Sequence, residues 1–232
     1  MRLDKFLADT GKFTRSEAGK AIRGGRVTVN GAVNRDPSAR IDEKSAAVTA
    51  DGEELGYQRY VYLMLNKPAD TVSTTDEGPK SVMNLFPQEL RRMGIFPCGR
   101  LDLDTVGFLL MTNDGQTAHE LLAPKKHCEK TYRFTCLPLD DGMIGKLESG
   151  VELSDFTSKP CRVTMTDPTH GEITVTEGKY HQIKRMFHAV GSEILTLERI
   201  TFAGLTLDPT LERGAWRELT DEETATIRRT TE

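Results

Sequence analysis

The pattern of apolar and polar positions changes character near residue 58. Before it, Thr14-Arg15-Ser16-Glu17 has the form of a capping box, in which the Thr14 hydroxyl accepts from the Glu17 amide and the Glu17 carboxylate accepts from the Thr14 amide. A helix is predicted to follow, with Ala18, Ala21 and Ile22 on its buried stripe and Gly24-Gly25 at its end. Val27–Val33 reads as two short strands around Asn30-Gly31, a pair that readily takes a type I′ turn. The stretch from Ile41 to Gly56 is expected to complete this small module and run into a linker. That places a boundary near Gly56-Tyr57-Gln58, dividing the chain into residues 1–58 and 59–232.

Beyond the boundary the periods mix. Tyr60–Leu65 is a continuous apolar strand stopped by Asn66-Lys67-Pro68. Thr131–Leu137 alternates, with Tyr132, Phe134 and Cys136 on one face, and Ile173–Thr176 alternates too. Ile183, Met186, Phe187 and Val190 recur at helical spacing, and Gly191 closes that helix. Thr220-Asp221-Glu222-Glu223 is a second capping box, opening a short final helix. Strands and helices do not alternate regularly. The expected class is therefore α+β, a small α/β module followed by a domain on a mixed, mainly antiparallel sheet.

Composition narrows the class of molecule. With 37% hydrophobic and 28% charged residues the chain has the make-up of a soluble globular protein. Its longest apolar run, Tyr60–Leu65, is far short of the roughly 18 residues a membrane helix needs. Met1-Arg2-Leu3-Asp4-Lys5 offers no apolar signal region, and the four cysteines show no C-x-x-C spacing, so reduced thiols in a cytoplasmic protein are expected.

The formal charge of −4 at first disfavours a nucleic-acid partner. Its distribution does not. Residues 1–40 hold nine Lys/Arg against four acids, residues 41–58 one against five, and the remainder 21 against 26. The early excess points to a phosphate-binding surface made by Arg2, Lys5, Arg15, Lys20, Arg23 and Arg26, with Arg15, Arg23 and Arg26 on one helical edge. A solvated face is the plainer alternative.

Two polar clusters carry candidate chemistry. Gly99-Arg100-Leu101-Asp102-Leu103-Asp104-Thr105-Val106-Gly107 reads as a tight loop feeding the buried strand Phe108–Met111, and Asn113-Asp114-Gly115 then turns into a helix over Gln116–Leu122. Asp102 and Asp104 could be a magnesium pair, extended by Asp114 into a nuclease site. Alternatively one of them is a nucleophile or base held by Arg100 or another cation. A loop ion pair beside a turn aspartate is the third reading. The second cluster, Glu177-Gly178-Lys179-Tyr180-His181-Gln182-Ile183-Lys184-Arg185-Met186, puts His181, Lys184, Arg185 and His188 opposite the apolar face of one helix. His181 and His188 lack a third ligand in sequence and make no metal site.

Arg2-Leu-Asp-Lys-Phe-Leu, Arg15-Ser16 and Ile22–Gly31 resemble the S4 RNA-binding module. The Gly99–Gly107 motif with its Thr-Asn-Asp-Gly sequel, Asn66-Lys67-Pro68, Glu129-Lys130-Thr131-Tyr132 and Glu177–Met186 resemble, in matching order, the motifs of the pseudouridine synthases. The S4-like module ahead of them is similar to the RsuA group, and His127–Tyr132 with Tyr180–Phe187 is closer to its small-subunit rRNA branch than to its large-subunit relatives. The resemblance implies that a uridine of 16S rRNA, in a partly assembled small subunit, is isomerised to pseudouridine by a monomeric enzyme without metal or cofactor. It implies Asp102 as the catalytic aspartate, Tyr132 as the active-site tyrosine and Lys184 as its basic partner, with Arg185 the competing candidate. Ile173 corresponds to the aliphatic residue under the base, while Arg100, Asp104, Lys67, His181 and Gln182 fall among substrate contacts. The alternatives are action on large-subunit rRNA, a metal-dependent nuclease, and a non-catalytic ribosome-assembly factor binding through residues 1–58.

Overall fold

A computed structural model describes residues 1–76 and 78–231. The chain forms two compact units, one of Met1–Val61 with Phe86–Ile95, the other of Tyr62–Leu85 with the chain from Phe96 onward.

In the first unit, helices α1 (Leu3–Asp9) and α2 (Arg15–Arg23) pack on a sheet of β1 (Val27–Val29), β2 (Ala32–Val33), β3 (Val48–Ala50) and β4 (Glu53–Glu54), ordered β2-β1-β3-β4 and antiparallel throughout. The capping box of α2 is formed, with Thr14 N donating to Glu17 Oε2 at 2.7 Å and Glu17 N to Thr14 Oγ1 at 3.2 Å. Leu3, Phe6, Leu7, Ala18, Ala21, Ile22, Val27 and Val48 make the core, and Tyr57 stacks on Phe6 at 5.2 Å.

The acidic stretch is less of a linker than its composition suggests. It supplies the β3–β4 hairpin, and its acids pair within the unit: Asp51 with Arg26, Glu53 with Lys12, Glu43 with the N-terminus. Arg26 therefore lies past the end of α2 rather than on its edge. Residues 86–95, assigned to the second domain by the sequence pattern, carry α3 (Gln88–Arg92) against this unit. There Gly11 (φ +77°) has its Cα so close to the chain that a Cβ would stand 2.2 Å from the Glu89 carbonyl oxygen, which only glycine permits.

The second unit is built on β5 (Tyr62–Lys67), β6 (Phe96–Pro97), β7 (Val106–Thr112), β8 (Lys130–Cys136), β9 (Arg162–Asp167), β10 (His170–Val175), β11 (Ile194–Phe202), β12 (Leu205–Thr206) and β13 (Trp216–Glu218). The order is β13-β5-β7-β11-β8-β10-β9, with β6 on β7 and β12 on β11. Every pairing is antiparallel except β7 with β11. Helices α4 (Gly115–Leu122), α5 (Asp141–Ser149), α6 (Gln182–Ala189) and α7 (Asp221–Thr231) complete it.

Strands β5 and β7 are buried on nearly all positions, so they read as unbroken apolar runs rather than alternating ones. Gly107 (φ +97°) is required where β7 meets β11, because a Cβ there would lie 2.3 Å from the Arg199 carbonyl oxygen. Ile183, Met186 and Phe187 of α6 are buried, and the Phe187 ring meets Phe134 of β8 edge-on at 4.9 Å. This contact packs α6 on β8, and Lys184 on the same helix reaches the loop ahead of β7. Strand β5 is displaced two residues from the expected Tyr60–Leu65, starting at Tyr62 and running through Asn66-Lys67 to stop before Pro68. The four cysteines are unbridged, and among the described residues no helix is long and apolar enough to cross a membrane.

Candidate active site

The loop ahead of β7 is clamped from behind. The Ser73 hydroxyl accepts from Leu101 N at 3.1 Å and donates to Leu101 O at 3.2 Å. Lys67 Nζ donates to the carbonyls of Pro68 (3.1 Å), Asp102 (3.1 Å), Leu103 (3.3 Å) and Thr105 (2.9 Å). Lys67 is wholly buried, which lowers its pKa to about 8 against the pull of Asp104, Asp102 and Asp70. It was expected at the substrate; buried and committed to carbonyls, it instead shapes the loop that carries Asp102.

Helix α6 supplies the facing cations. Lys184 Nζ lies 3.6 Å from Asp102 Oδ2 and 2.5 Å from Asp104 Oδ1, while His181 Nε2 lies 3.7 Å from Asp102 Oδ1. The hydrogen bond from Lys184 holds the Asp104 carboxyl below its ordinary pKa. Arg185 turns the other way. It pairs with Asp155, donates to Ser154 Oγ at 3.3 Å and lies over the Phe156 ring. Of the two candidates, the fold brings Lys184 to Asp102.

Asp102 opens on a pocket whose walls include Arg100, Tyr132, Val175, Lys184 and Leu197. Tyr132 is nearly buried, and its cross-strand partner Ile173 is completely so and stays in the core. Val175, two residues along the same face of β10, is the aliphatic side chain on the pocket wall in its place. Gln182 borders the pocket, but its amide is used within the turn: Oε1 accepts from Lys179 N at 3.1 Å and Nε2 donates to Glu177 Oε2 at 3.1 Å. The Thr105 hydroxyl is buried on the same wall with no hydrogen-bond partner.

A family model described as RNA pseudouridylate synthase matches residues 61–189, more than half of the chain. The chain belongs to the RNA pseudouridylate synthase family. A second model, the S4 domain, matches residues 1–45 of this synthase. Its sequence is 41% identical to the Escherichia coli K12 protein named ribosomal small subunit pseudouridine synthase A, over 98% of this chain and all of that one. It is also 41% identical to a Bacillus subtilis protein named uncharacterized RNA pseudouridine synthase YtzG, over 96% of each. A crystal structure titled pseudouridylate synthase superposes with a TM-score of 0.69 at 36% identity, covering 98% of this chain and 99% of that one.

The other sequence candidates fall into place around this site. Asp114 of the synthase is a buried helix cap, accepting from Thr117 N at 3.2 Å and Tyr62 OH at 2.6 Å. It stands past the far end of the seven-residue β7, a strand roughly 20 Å long at about 3.3 Å per residue, whereas Asp102 precedes its start. Lys184 binds both Asp102 and Asp104, placing an ammonium where a magnesium pair would put its ion, and no group of three or more His, Cys, Asp or Glu among the described residues could hold a metal. Sequence reasoning missed Val175, Thr105 and Ser73. The alternation of β10 could have disclosed the first; nothing local could have shown that Ser73 folds back on Leu101.

Proposed function

We propose that this synthase isomerises a uridine of small-subunit ribosomal RNA to pseudouridine, with Asp102 as the reacting carboxylate. The observation that carries the reading is the placement of Asp102, on a clamped loop at the mouth of the Tyr132 pocket and flanked by Lys184 and His181. The name of the Escherichia coli relative supports the choice of RNA.

The reaction breaks the C1′–N1 bond, turns the base and joins C1′ to C5; the C5 proton leaves and N1 gains one. It involves no redox change and no outside nucleophile, so a carboxylate suffices. Asp102 either adds to the sugar or base, or removes a proton from the sugar. Both call for the carboxylate, and the Lys184 ammonium stands 3.6 Å from its Oδ2. The uridine must leave its stack at a cost of a few kcal/mol. The Tyr132 ring, Val175 and Leu197 offset that cost by packing against the extruded base. Arg100 borders the mouth, suited to a phosphate. In the first unit, capture falls to the exposed cations Arg2, Lys5, Arg15, Lys20, Arg23 and Arg26, among which Arg15, Lys20 and Arg23 stand on α2.

Pseudouridine mapping of ribosomal RNA from cells with and without the protein tests the reading. One small-subunit site should revert to uridine. Loss of a large-subunit site, or an unchanged map, would defeat the choice of substrate.

A further inference from the structure

Beside the Asp102 pocket lies a cleft of about 470 Å³ that shares Arg100, Tyr132 and Glu177–Lys179 with it. Its wall carries two buried cations, Lys130 of β8 and Arg199 of β11. Arg199 is the cross-strand partner of Tyr132. Its Nε donates to Phe108 O at 2.7 Å and its guanidinium lies over the Phe202 ring, but Nη2 has no hydrogen-bond partner. Lys130 Nζ donates to Cys128 O at 2.9 Å and lies over the same ring. Among the described residues neither cation has an ion pair.

Among the described residues no carboxylate pairs with either cation, and Glu177 is the one acid in the cleft lining. Burial pushes the Cys98 thiol up to about 12 and raises Cys128 as well, so both stay protonated. Glu177 is on the cleft wall, but its carboxylate is held by Lys159 N at 2.9 Å and Gln182 Nε2 at 3.1 Å. Burial, with Arg199 beside it, lowers the Lys130 pKa, and an anion seated in the cleft would favour its charged form and meet the unpartnered Arg199 Nη2. The cleft has the size of a small-ligand site, with Lys159 and Lys179 as further lining cations.

We infer that this cleft is a phosphate site, occupied by the backbone phosphate that flanks the target uridine. The inference rests on the reading that the Asp102 pocket takes the uridine. The shared Tyr132 wall lets one nucleotide reach both spaces, its base on one side and its phosphate toward Lys130 and Arg199. A free phosphate has the same chemistry, and the two sources are separable.

The test is calorimetric titration of the full-length protein with uridine, uridine 3′-monophosphate, uridine 5′-monophosphate and inorganic phosphate. Wild type, Lys130→Met and Lys159→Ala are compared. One monophosphate should bind the wild type at least about tenfold more tightly than uridine. Lys130→Met should lose most of that advantage and Lys159→Ala part of it, while uridine itself binds all three alike. Inorganic phosphate should raise the melting temperature of the wild type more than that of Lys130→Met. A monophosphate with no advantage, or one whose advantage survives both substitutions, overturns the inference. Inorganic phosphate binding as tightly as the monophosphates, without competing with them, overturns the RNA source and leaves a free-anion site. Failure of uridine to bind, with a phosphate response still dependent on Lys130, defeats the uridine-pocket reading instead. Methionine removes an unpaired buried charge at similar volume, so Lys130→Met should fold; if it does not, Lys159→Ala carries the comparison.

Discussion

The cations of the two units are used in opposite ways. In the first unit Arg2, Lys5, Lys12 and Arg26 stand on the surface, and each pairs with an acid of that unit. In the second, Lys67, Lys130 and Arg199 are buried, and Lys184 is aimed from a helix at two aspartates. An exposed pair in high dielectric is worth little and can be exchanged for a phosphate. A buried ammonium holding four carbonyls cannot move without moving the loop it supports. On the proposed reading, exposed charge in the first unit serves capture, and Lys67 and Lys184 in the second hold the geometry of the Asp102 loop.

Substitutions should separate these roles. Lys184→Ala is expected to cost about 10²–10³ in kcat, because it removes the cation beside the reacting carboxylate, whereas Arg185→Ala should cost under about tenfold. Single-turnover rates at saturating RNA decide it; equal losses would show that the pairing seen here is not the one used.

Lys67 gives the next largest effect, about 10²-fold for Lys67→Met through a misplaced loop. It also predicts a pH dependence. Its folded pKa, about 8, lies below the ordinary value of 10.5, so between these the unfolded chain holds more protons and this residue's contribution to stability rises with pH. The same loss of a proton weakens the clamp on the Asp102 loop. Activity should fall on an alkaline limb with a midpoint near 8 while the melting temperature does not fall with it. An alkaline limb unchanged in Lys67→Met would remove Lys67 as its source.

Thr105→Val should lower kcat/KM about five- to tenfold by deleting the unpartnered hydroxyl on the pocket wall, with no loss of melting temperature. A destabilised but fully active variant would make that hydroxyl structural. The smallest effect on chemistry is expected from Lys20→Glu with Arg23→Glu. Binding should weaken and the salt dependence of log K should flatten by about 1–2, at unchanged kcat under saturation. Unaltered affinity would take α2 out of the RNA interface.

Local patterns predicted local structure well. The capping boxes at Thr14 and Thr220, the Asn30-Gly31 turn and the apolar face of α6 are all present, since each is decided within a few residues. What escaped depends on contacts between distant segments. β11, the centre of the larger sheet, mixes exposed and buried positions and carries no clean period. Segment 86–95 looks like part of the second domain until Gly11 meets Glu89. Lys67 carried the motif resemblance but not its burial, which follows from β5 running under the Asp102 loop. The alternation that marked Ile173 also held Val175, and only the packing of β8 and β10 distinguishes the one in the core from the one at the pocket.

The central claim is that Asp102 performs the isomerisation and does not serve capture. Release of C5 hydrogen from labelled small-subunit rRNA by Asp102→Asn, measured alongside RNA affinity, tests it most directly. The account predicts a loss on the order of 10⁴ or more in release with affinity nearly unchanged. Release at a rate near that of the wild type would contradict it.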